Sequence, residues 1–279
     1  SECEKNKPSN KKILLVGDSF TFGAGLMIED TLYYNISCNF KPKVDNLGAL
    51  GTGIDFYSKV ILQSNLHVVD EIIILFFDND TDIKKPSNFF QEIKNKVRYS
   101  SFSYTVLRSL SRKMKTISIL KKKEENLEFS NPEFIFDKNG NLLERWFITS
   151  KEKEEYIKFK FENEFKKLRK TINNLDKDIK LKLIVIPEPS VVSDIHRSYY
   201  TEIGSLFLPN KFEISIMTKI VKELSDKYSF EYLPFYEEII KSYQFKQKDY
   251  YFETDFHLNK EGNKFLFEFI VDYISSDRL

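Results

Sequence analysis

Three polar side chains from opposite ends of the chain are of the types that nucleophilic catalysis requires. Ser19 follows Gly17 and Asp18, while Asp255 and His257 stand two positions apart near the C-terminus. A serine hydroxyl becomes a nucleophile when a base takes its proton, and that base needs an orienting acceptor. In an extended segment, side chains two apart lie on one face, so Asp255 can orient His257. The three residues therefore predict acyl-transfer chemistry.

A second Asp-x-His pattern offers a rival base. Asp194 and His196 repeat the spacing found before His257, and both patterns follow predicted strands. His257 is the better candidate because it directly precedes the last predicted helix, where Asn259 can cap the first turn and fix the loop. His196 lies in a polar stretch, which predicts a mobile or substrate-lining loop. Glu253 is the reserve for the acid that orients His257.

Short apolar runs predict the strands that position these residues. The run at residues 71–77 is almost continuously apolar, as a parallel strand buried on both faces requires. Gly17 allows a sharp bend that presents Ser19 at the mouth of the sheet. Ligand sites of α/β sheets lie at the carboxyl ends of the strands, so the residues following three strands should meet at one edge. These strands and the residues after them are 13–16 with Ser19, 44–47 with Gly51, and 71–77 with Asn79.

The rest of the chain alternates predicted helices with strands. Further strands are predicted at residues 179–187 and 230–233, and helices at 28–39, 54–64, 151–175, 211–228 and 259–274. Such alternation is typical of an α/β fold with a mostly parallel sheet. The apolar pattern loosens between residues 86 and 146, which predicts an insertion or lid within a single domain spanning residues 13–279. Residues 1–12 form a polar leader.

Composition excludes several classes of protein. The 279 residues include 43 basic and 42 acidic side chains, so overall charge favours neither a nucleic acid nor an anionic membrane as partner. No apolar run approaches the roughly 20 residues that span a bilayer. Cys3 and Cys38 lack metal-ligand spacing; they form one disulfide if the protein is exported, or remain two free thiols. The leader could follow a removed export segment, so extracytoplasmic and cytoplasmic locations both stay open.

Four segments, in this order along the chain, resemble the conserved blocks of the SGNH hydrolases, also called GDSL-type esterases and lipases. The blocks are Gly17–Ser19 with the extension Phe20–Gly23, residues 46–51, residues 78–80, and residues 255–257. Two departures stand out: Asp78 occupies a position where the family usually has glycine, and Asp255 lies two rather than three positions before the histidine. The resemblance covers residues 13–274.

The resemblance implies a fold, an activity and a set of site residues. The fold is a three-layer α/β/α sandwich of the flavodoxin-like kind. The activity is a serine esterase acting on acetyl or short-chain esters of a small molecule, lipid or carbohydrate, without metal or organic cofactor. Ser19, His257 and Asp255 would form the triad, and the N–H groups of Ser19 and Gly51 with the Asn79 amide would form the oxyanion hole. An O-acyltransferase would use the same residues; a non-catalytic binding module is the less favoured alternative.

Overall fold

The computed structural model describes most of the predicted α/β domain. The described residues are 11–40, 43–77, 80, 135–136, 142–143, 151–202, 215–246, 248–253 and 255–276. The chain divides into two compact units: Ser1–Thr81, Trp146–Tyr199 and Leu208–Leu279 form the first, and Asp82–Arg145 and Tyr200–Phe207 the second. Within Asp82–Arg145, only the antiparallel strands β4 (Ile135–Phe136) and β5 (Leu142–Leu143) are described. The predicted insertion at residues 86–146 otherwise lies outside the described residues.

A five-stranded sheet forms the centre of the first unit. Its strand order is β2-β1-β3-β6-β7, and every neighbouring pair is parallel. The strands are β1 (Lys12–Gly17), β2 (Lys43–Gly48), β3 (Glu71–Phe77), β6 (Lys180–Ile186) and β7 (Glu231–Leu233). Every residue of β3 is buried, which explains the apolar run from Ile72 to Phe77. Because all five strands run the same way, their carboxyl ends share one edge.

Helices cover the sheet. They are α1 (Ser19–Phe22), α2 (Leu32–Phe40), α3 (Ile54–Gln63), α4 (Lys151–Asn173), α5 (Pro189–Val192), α6 (Asp194–Glu202), α7 (Ile216–Tyr228), α8 (Phe235–Lys246) and α9 (Lys260–Ser276). Helix α4 packs against α3 and α7, whereas α9 packs against α2 and α8. These two groups form the outer layers of an α/β/α sandwich. The predicted fold class is confirmed.

Two neighbouring phenylalanines at the end of β3 connect the sheet to both layers. Successive side chains of a strand point to opposite faces. Phe76 packs against Tyr57 of α3 and Phe161 of α4, with ring centroids 5.8 and 5.5 Å away. Phe77 packs instead against Phe20 of α1 at 4.5 Å. The end of β3 is thereby held between α1 on one face and α3 and α4 on the other.

The structure also contains helices that the sequence pattern did not predict. Helix α8 was missed, although its buried residues Tyr236, Ile239, Ile240 and Tyr243 have helical spacing. The expectation of a mobile or substrate-lining loop around His196 is wrong: this stretch forms α6, and His196 is buried. The helix predicted from residue 28 begins with a 3-10 turn, and α2 starts only after Thr31, whose hydroxyl accepts the N–H of Tyr34.

Candidate active site

The first site element is the junction between β1 and α1. Asp18 caps α1, because its carboxylate accepts the N–H of Phe20 at 3.0 Å. A side chain at position 17 would overlap the Thr21 hydroxyl and place its Cβ 2.8 Å from the Leu75 carbonyl oxygen. Glycine is therefore needed at this position because α1 and β3 approach the backbone closely. Ser19 follows directly, at the carboxyl edge of the sheet.

His257 lies between the hydroxyl of Ser19 and the carboxylate of Asp255. Its Nε2 is 2.8 Å from Ser19 Oγ, and its Nδ1 is 2.6 Å from Asp255 Oδ1. Because a carboxylate accepts, Nδ1 carries the proton, and the lone pair of Nε2 faces the serine hydroxyl. The structure thus brings together the three residues that the sequence placed in one catalytic group. Asp255, and not the reserve Glu253, is the acid that contacts the ring.

Asp255 can contact the His257 ring from only two positions away because the backbone bends between them. Residues 255–257 are bent, so the expectation of an extended segment is wrong. Asp255 Oδ1 accepts the backbone N–H of His257 at 3.0 Å as well as the ring proton. Two backbone hydrogen bonds close the bend: the Phe252 N–H donates to the His257 carbonyl at 3.0 Å, and the Asp255 N–H donates to the Phe252 carbonyl at 3.2 Å. One carboxylate oxygen therefore fixes both the backbone and the imidazole.

Aromatic rings hold the imidazole in place. The centroid of the His257 ring lies 5.1 Å from that of Phe20 and 4.3 Å from that of Phe256. Phe256 in turn stacks on Phe77 at 5.6 Å. The C-terminal loop is thereby packed onto the end of β3 and onto α1, so the ring orientation depends on three segments distant in sequence.

Asp18 places a buried carboxyl beside the serine. One of its oxygens lies 3.4 Å from Ser19 Oγ, and its side chain is almost fully buried. Burial raises the pKa of Asp18, although the Phe20 N–H and the nearby His257 act in the opposite direction. The carboxyl therefore binds its proton more tightly in the folded chain than in the unfolded one.

The turn after β2 carries Gly51 to the same edge of the sheet. The Ala49 N–H donates to the Gly17 carbonyl at 3.1 Å, so this turn is tied to the end of β1. Thr52 closes the turn by donating its hydroxyl to Ala49 at 2.7 Å. Gly51 has a φ of 64°, in the left-handed region where glycine is favoured because other residues are strained there. The turn is thus fastened next to the segment that bears Ser19.

The segment after β3 is described only in part. Asp78 and Asn79 lie outside the described residues. Asp80 is buried, and its carboxylate accepts two hydrogen bonds: the Phe77 N–H at 2.9 Å and the Tyr57 hydroxyl at 2.6 Å. These bonds tie Asp80 both to its own strand end and to α3.

His196, the other candidate base, contacts Ser193 and Phe252. Its Nε2 lies 2.6 Å from the carbonyl oxygen of Phe252, so this nitrogen carries the proton, and its Nδ1 lies 3.0 Å from Ser193 Oγ. The ring therefore braces the loop that carries Asp255 and His257. Apart from the repeated Asp-x-His spacing, no sequence pattern indicates this role.

Three further observations concern metal-binding groups, membrane-spanning helices and cysteines among the described residues. Among the described residues, no group of three or more His, Cys, Asp or Glu side chains could hold a metal ion. No helix in the described part of the chain has both the length and the apolar character needed to cross a membrane. Cys38 is disulfide-bonded, whereas Cys3 lies outside the described residues.

Comparisons with known proteins show likeness in fold. No protein-family model and no curated protein matches the sequence. A structural-genomics protein from Lactobacillus plantarum is similar with a TM-score of 0.50 and 12% identity, over 97% of this chain and 99% of its own. A gut microbial diltiazem-metabolizing enzyme gives 0.51 and 13%, over 97% of this chain and 48% of its own. A member of the lipolytic protein G-D-S-L family from Veillonella parvula gives 0.46 and 11%, over 94% and 97%. The fold implied by the resemblance to SGNH hydrolases is the fold observed.

Proposed function

We propose that the chain is a serine ester hydrolase of the SGNH, or GDSL-type, family. One observation carries the proposal: the unbroken chain of short contacts from Asp255 through His257 to Ser19. In this order, the contacts join an orienting acid, a base and a nucleophile. The α/β/α fold and the position of Ser19 at the carboxyl edge of the sheet support the same function.

The proposed reaction is acyl transfer to the serine and then to water. Ser19 Oγ attacks the ester carbonyl carbon while its proton moves to His257 Nε2, and Asp255 stabilises the imidazolium that forms. His257 then gives the proton to the leaving alcohol, which leaves an acyl group on Ser19. A water molecule, deprotonated by His257, attacks this acyl group and releases the acid, and the proton returns to Ser19.

The oxyanion of each tetrahedral intermediate would be held by three donors. We assign this role to the N–H groups of Ser19 and Gly51 and to the amide of Asn79. The assignment of Gly51 is supported by the hydrogen bond between the Gly17 carbonyl and the Ala49 N–H, which holds its turn beside the serine. Asn79 is assigned from the sequence alone. Each such donor is typically worth about 2.7–4 kcal/mol of transition-state stabilisation.

The acyl group is proposed to be acetyl or another short chain, and the alcohol a small molecule, lipid or carbohydrate. An O-acyltransferase would use the same acyl-enzyme but deliver it to a hydroxyl group. A panel of esters with increasing acyl length, together with sugar acetates, separates these activities when it is run with and without an acceptor sugar. Acid release that is independent of the acceptor identifies a hydrolase.

The proposal predicts that Ser19→Ala abolishes ester hydrolysis and labelling by a fluorophosphonate probe. The fold should be retained, because the serine hydroxyl contacts the catalytic group rather than the apolar core. The matched control is Ser225→Ala, which removes another buried hydroxyl, one that donates to the Lys222 carbonyl within α7. Hydrolysis by purified Ser19→Ala at the wild-type rate would refute the assignment.

A further inference from the structure

Tyr57 joins two segments that meet at the proposed oxyanion hole. It lies in the first turns of α3, directly after the turn that contains Gly51. Its hydroxyl is 2.6 Å from Asp80 Oδ1 and 3.4 Å from the carbonyl oxygen of Thr52. Thr52 follows Gly51 in the chain, and Asp80 follows β3. One phenol therefore contacts the peptide after Gly51 and the carboxylate beyond the end of β3.

Asp80 connects the Tyr57 hydroxyl to the sheet. While Oδ1 accepts the Tyr57 hydroxyl, Oδ2 accepts the backbone N–H of Phe77, the last residue of β3. The two segments also lie close together, since a side chain at position 53 would place its Cβ 3.3 Å from the Asp80 carbonyl oxygen. The turn with Gly51 is thus fixed to β3 on one side and, through Ala49, to β1 on the other.

We propose that Tyr57 is a positioning residue for ester hydrolysis, which sets the place of the Gly51 N–H relative to Ser19 by holding its turn against Asp80. The inference rests on the proposed function. An oxyanion donor acts over a narrow range, about 2.7–3.1 Å from the developing negative charge. A displacement of about 1 Å costs on the order of 10²-fold in rate, so a small loosening of the turn is enough to slow the reaction.

The environment of Tyr57 suits a fixed donor. The side chain is fully buried, and its ring packs on Phe76. Burial, together with the nearby carboxylates of Asp80 and Asp18, raises its pKa well above the ordinary value for tyrosine. The hydroxyl therefore stays protonated over the pH range of an esterase assay and donates throughout. A buried donor–acceptor pair of this kind restricts motion more than the same pair does in water.

The test uses Tyr57→Phe, which keeps the ring and removes only the hydroxyl. With p-nitrophenyl acetate as substrate, we expect kcat to fall about 10–100-fold while KM changes less than about threefold. The second measurement is the inhibition constant of an alkyl trifluoromethyl ketone. Ser19 Oγ adds to its carbonyl carbon, the serine proton moves to His257, and the former carbonyl oxygen becomes an oxyanion. This constant should rise by the same factor by which kcat/KM falls.

The control is Tyr232→Phe, which removes another phenol that donates to a carboxylate: Tyr232 of β7 donates to Glu237 of α8 at 3.0 Å. It should leave kcat and the inhibition constant unchanged. An unchanged kcat in Tyr57→Phe, a loss of kcat without weaker ketone binding, or the same losses in Tyr232→Phe would overturn the inference.

A second variant decides the matter if Tyr57→Phe does not fold. Asp80→Asn keeps the shape of the acceptor and one carbonyl oxygen, and it should lower kcat and weaken ketone binding in the same proportion. Wild-type values in a folded Asp80→Asn would then refute the role of the pair. The two proposals can be refuted separately. If Ser19→Ala retains activity, the proposed function is wrong. If Ser19→Ala is inactive and Tyr57→Phe behaves like wild type, only the positioning role is wrong.

Discussion

At the scale of single residues, the site places a buried carboxyl next to its proposed nucleophile. Asp18 caps α1 and lies 3.4 Å from Ser19 Oγ. A capping residue normally stabilises a helix by accepting a backbone N–H, but burying a charge opposes that benefit. The raised pKa of Asp18, caused first by burial, shows that desolvation is the larger effect.

Asp18→Asn is predicted to change how stability depends on pH. Because the folded-state pKa is raised above 3.8, stability from this group is fully present below that value and is lost as pH rises through the folded-state pKa. Asparagine caps helices as well as aspartate does and cannot ionise. The free energy of unfolding of the variant minus that of wild type should therefore be larger at pH 7 than at pH 4, as measured by urea denaturation.

The control is Asp226→Asn, which neutralises an exposed carboxylate of α7. Its effect on stability should stay within about 0.5 kcal/mol at both pH values. A difference between Asp18→Asn and wild type that stays constant from pH 4 to pH 7 would show that burial does not raise the pKa of this carboxyl.

At the scale of elements, the loop that carries His257 is held by several neighbours. The Tyr251 hydroxyl donates to the Pro187 carbonyl at 2.8 Å, which ties the loop to the end of β6. Asn259 caps α9 as expected, since its side-chain oxygen accepts the Gly262 N–H at 2.9 Å. On the other side, His196 of α6 donates to the Phe252 carbonyl. The loop is thus fixed to three elements of the fold.

The two histidines should therefore respond differently to alanine. His257→Ala removes the proposed base and should lower kcat/KM by at least about 10³-fold, with little change in stability. His196→Ala leaves the part-buried Phe252 carbonyl without this donor, which should lower the free energy of unfolding by about 1–3 kcal/mol. Urea denaturation measures the change in stability, and rates per folded molecule, with the folded fraction taken from circular dichroism, measure the change in activity. The reverse ranking of activities would refute the triad.

At the scale of the whole molecule, the two edges of the sheet differ in character. The carboxyl edge bears the proposed catalytic group, whereas the amino edge bears a buried ion pair. Lys182 of β6 and Glu71 of β3 are fully buried, with Nζ and Oε1 3.0 Å apart. Lys11 also pairs with Glu71, and Glu231 of β7 lies 3.9 Å from Lys182. These charges connect three adjacent strands.

Lys182→Met is predicted to destabilise the fold without altering catalysis. Removal of one partner leaves the buried Glu71 carboxylate poorly compensated, which typically costs about 3–5 kcal/mol. The value of kcat per folded molecule should not change, because the pair lies at the edge opposite Ser19. The control Lys241→Met breaks an exposed pair with Glu238 and should cost less than about 1 kcal/mol. Equal costs for the two variants in urea denaturation would contradict the prediction.

The sequence by itself determined the secondary structure of the sheet and the chemical types at its edge. A run such as Glu71–Phe77 is compatible with burial on both faces of a parallel strand and with little else at that length. Ser19, Asp255 and His257 could likewise be singled out, because few residue types serve as nucleophile, acid and base. The apolar residues of helix α8 also have helical spacing, so this helix could have been predicted from the sequence. These features depend on composition and local spacing, both of which the sequence displays.

The tertiary structure decided the features that depend on contacts between distant segments. The two Asp-x-His patterns have the same spacing, yet only His257 contacts Ser19, which lies 238 positions away in the sequence. His196 is buried and instead contacts the Phe252 carbonyl of the loop that carries His257. The contact of Tyr57 with Asp80 and the burial of Lys182 could not be predicted from the sequence either. Each depends on the strand order β2-β1-β3-β6-β7 and on how the connecting loops pack onto it. Local spacing does not encode that order, because it arises from the packing of the whole sheet and its helices.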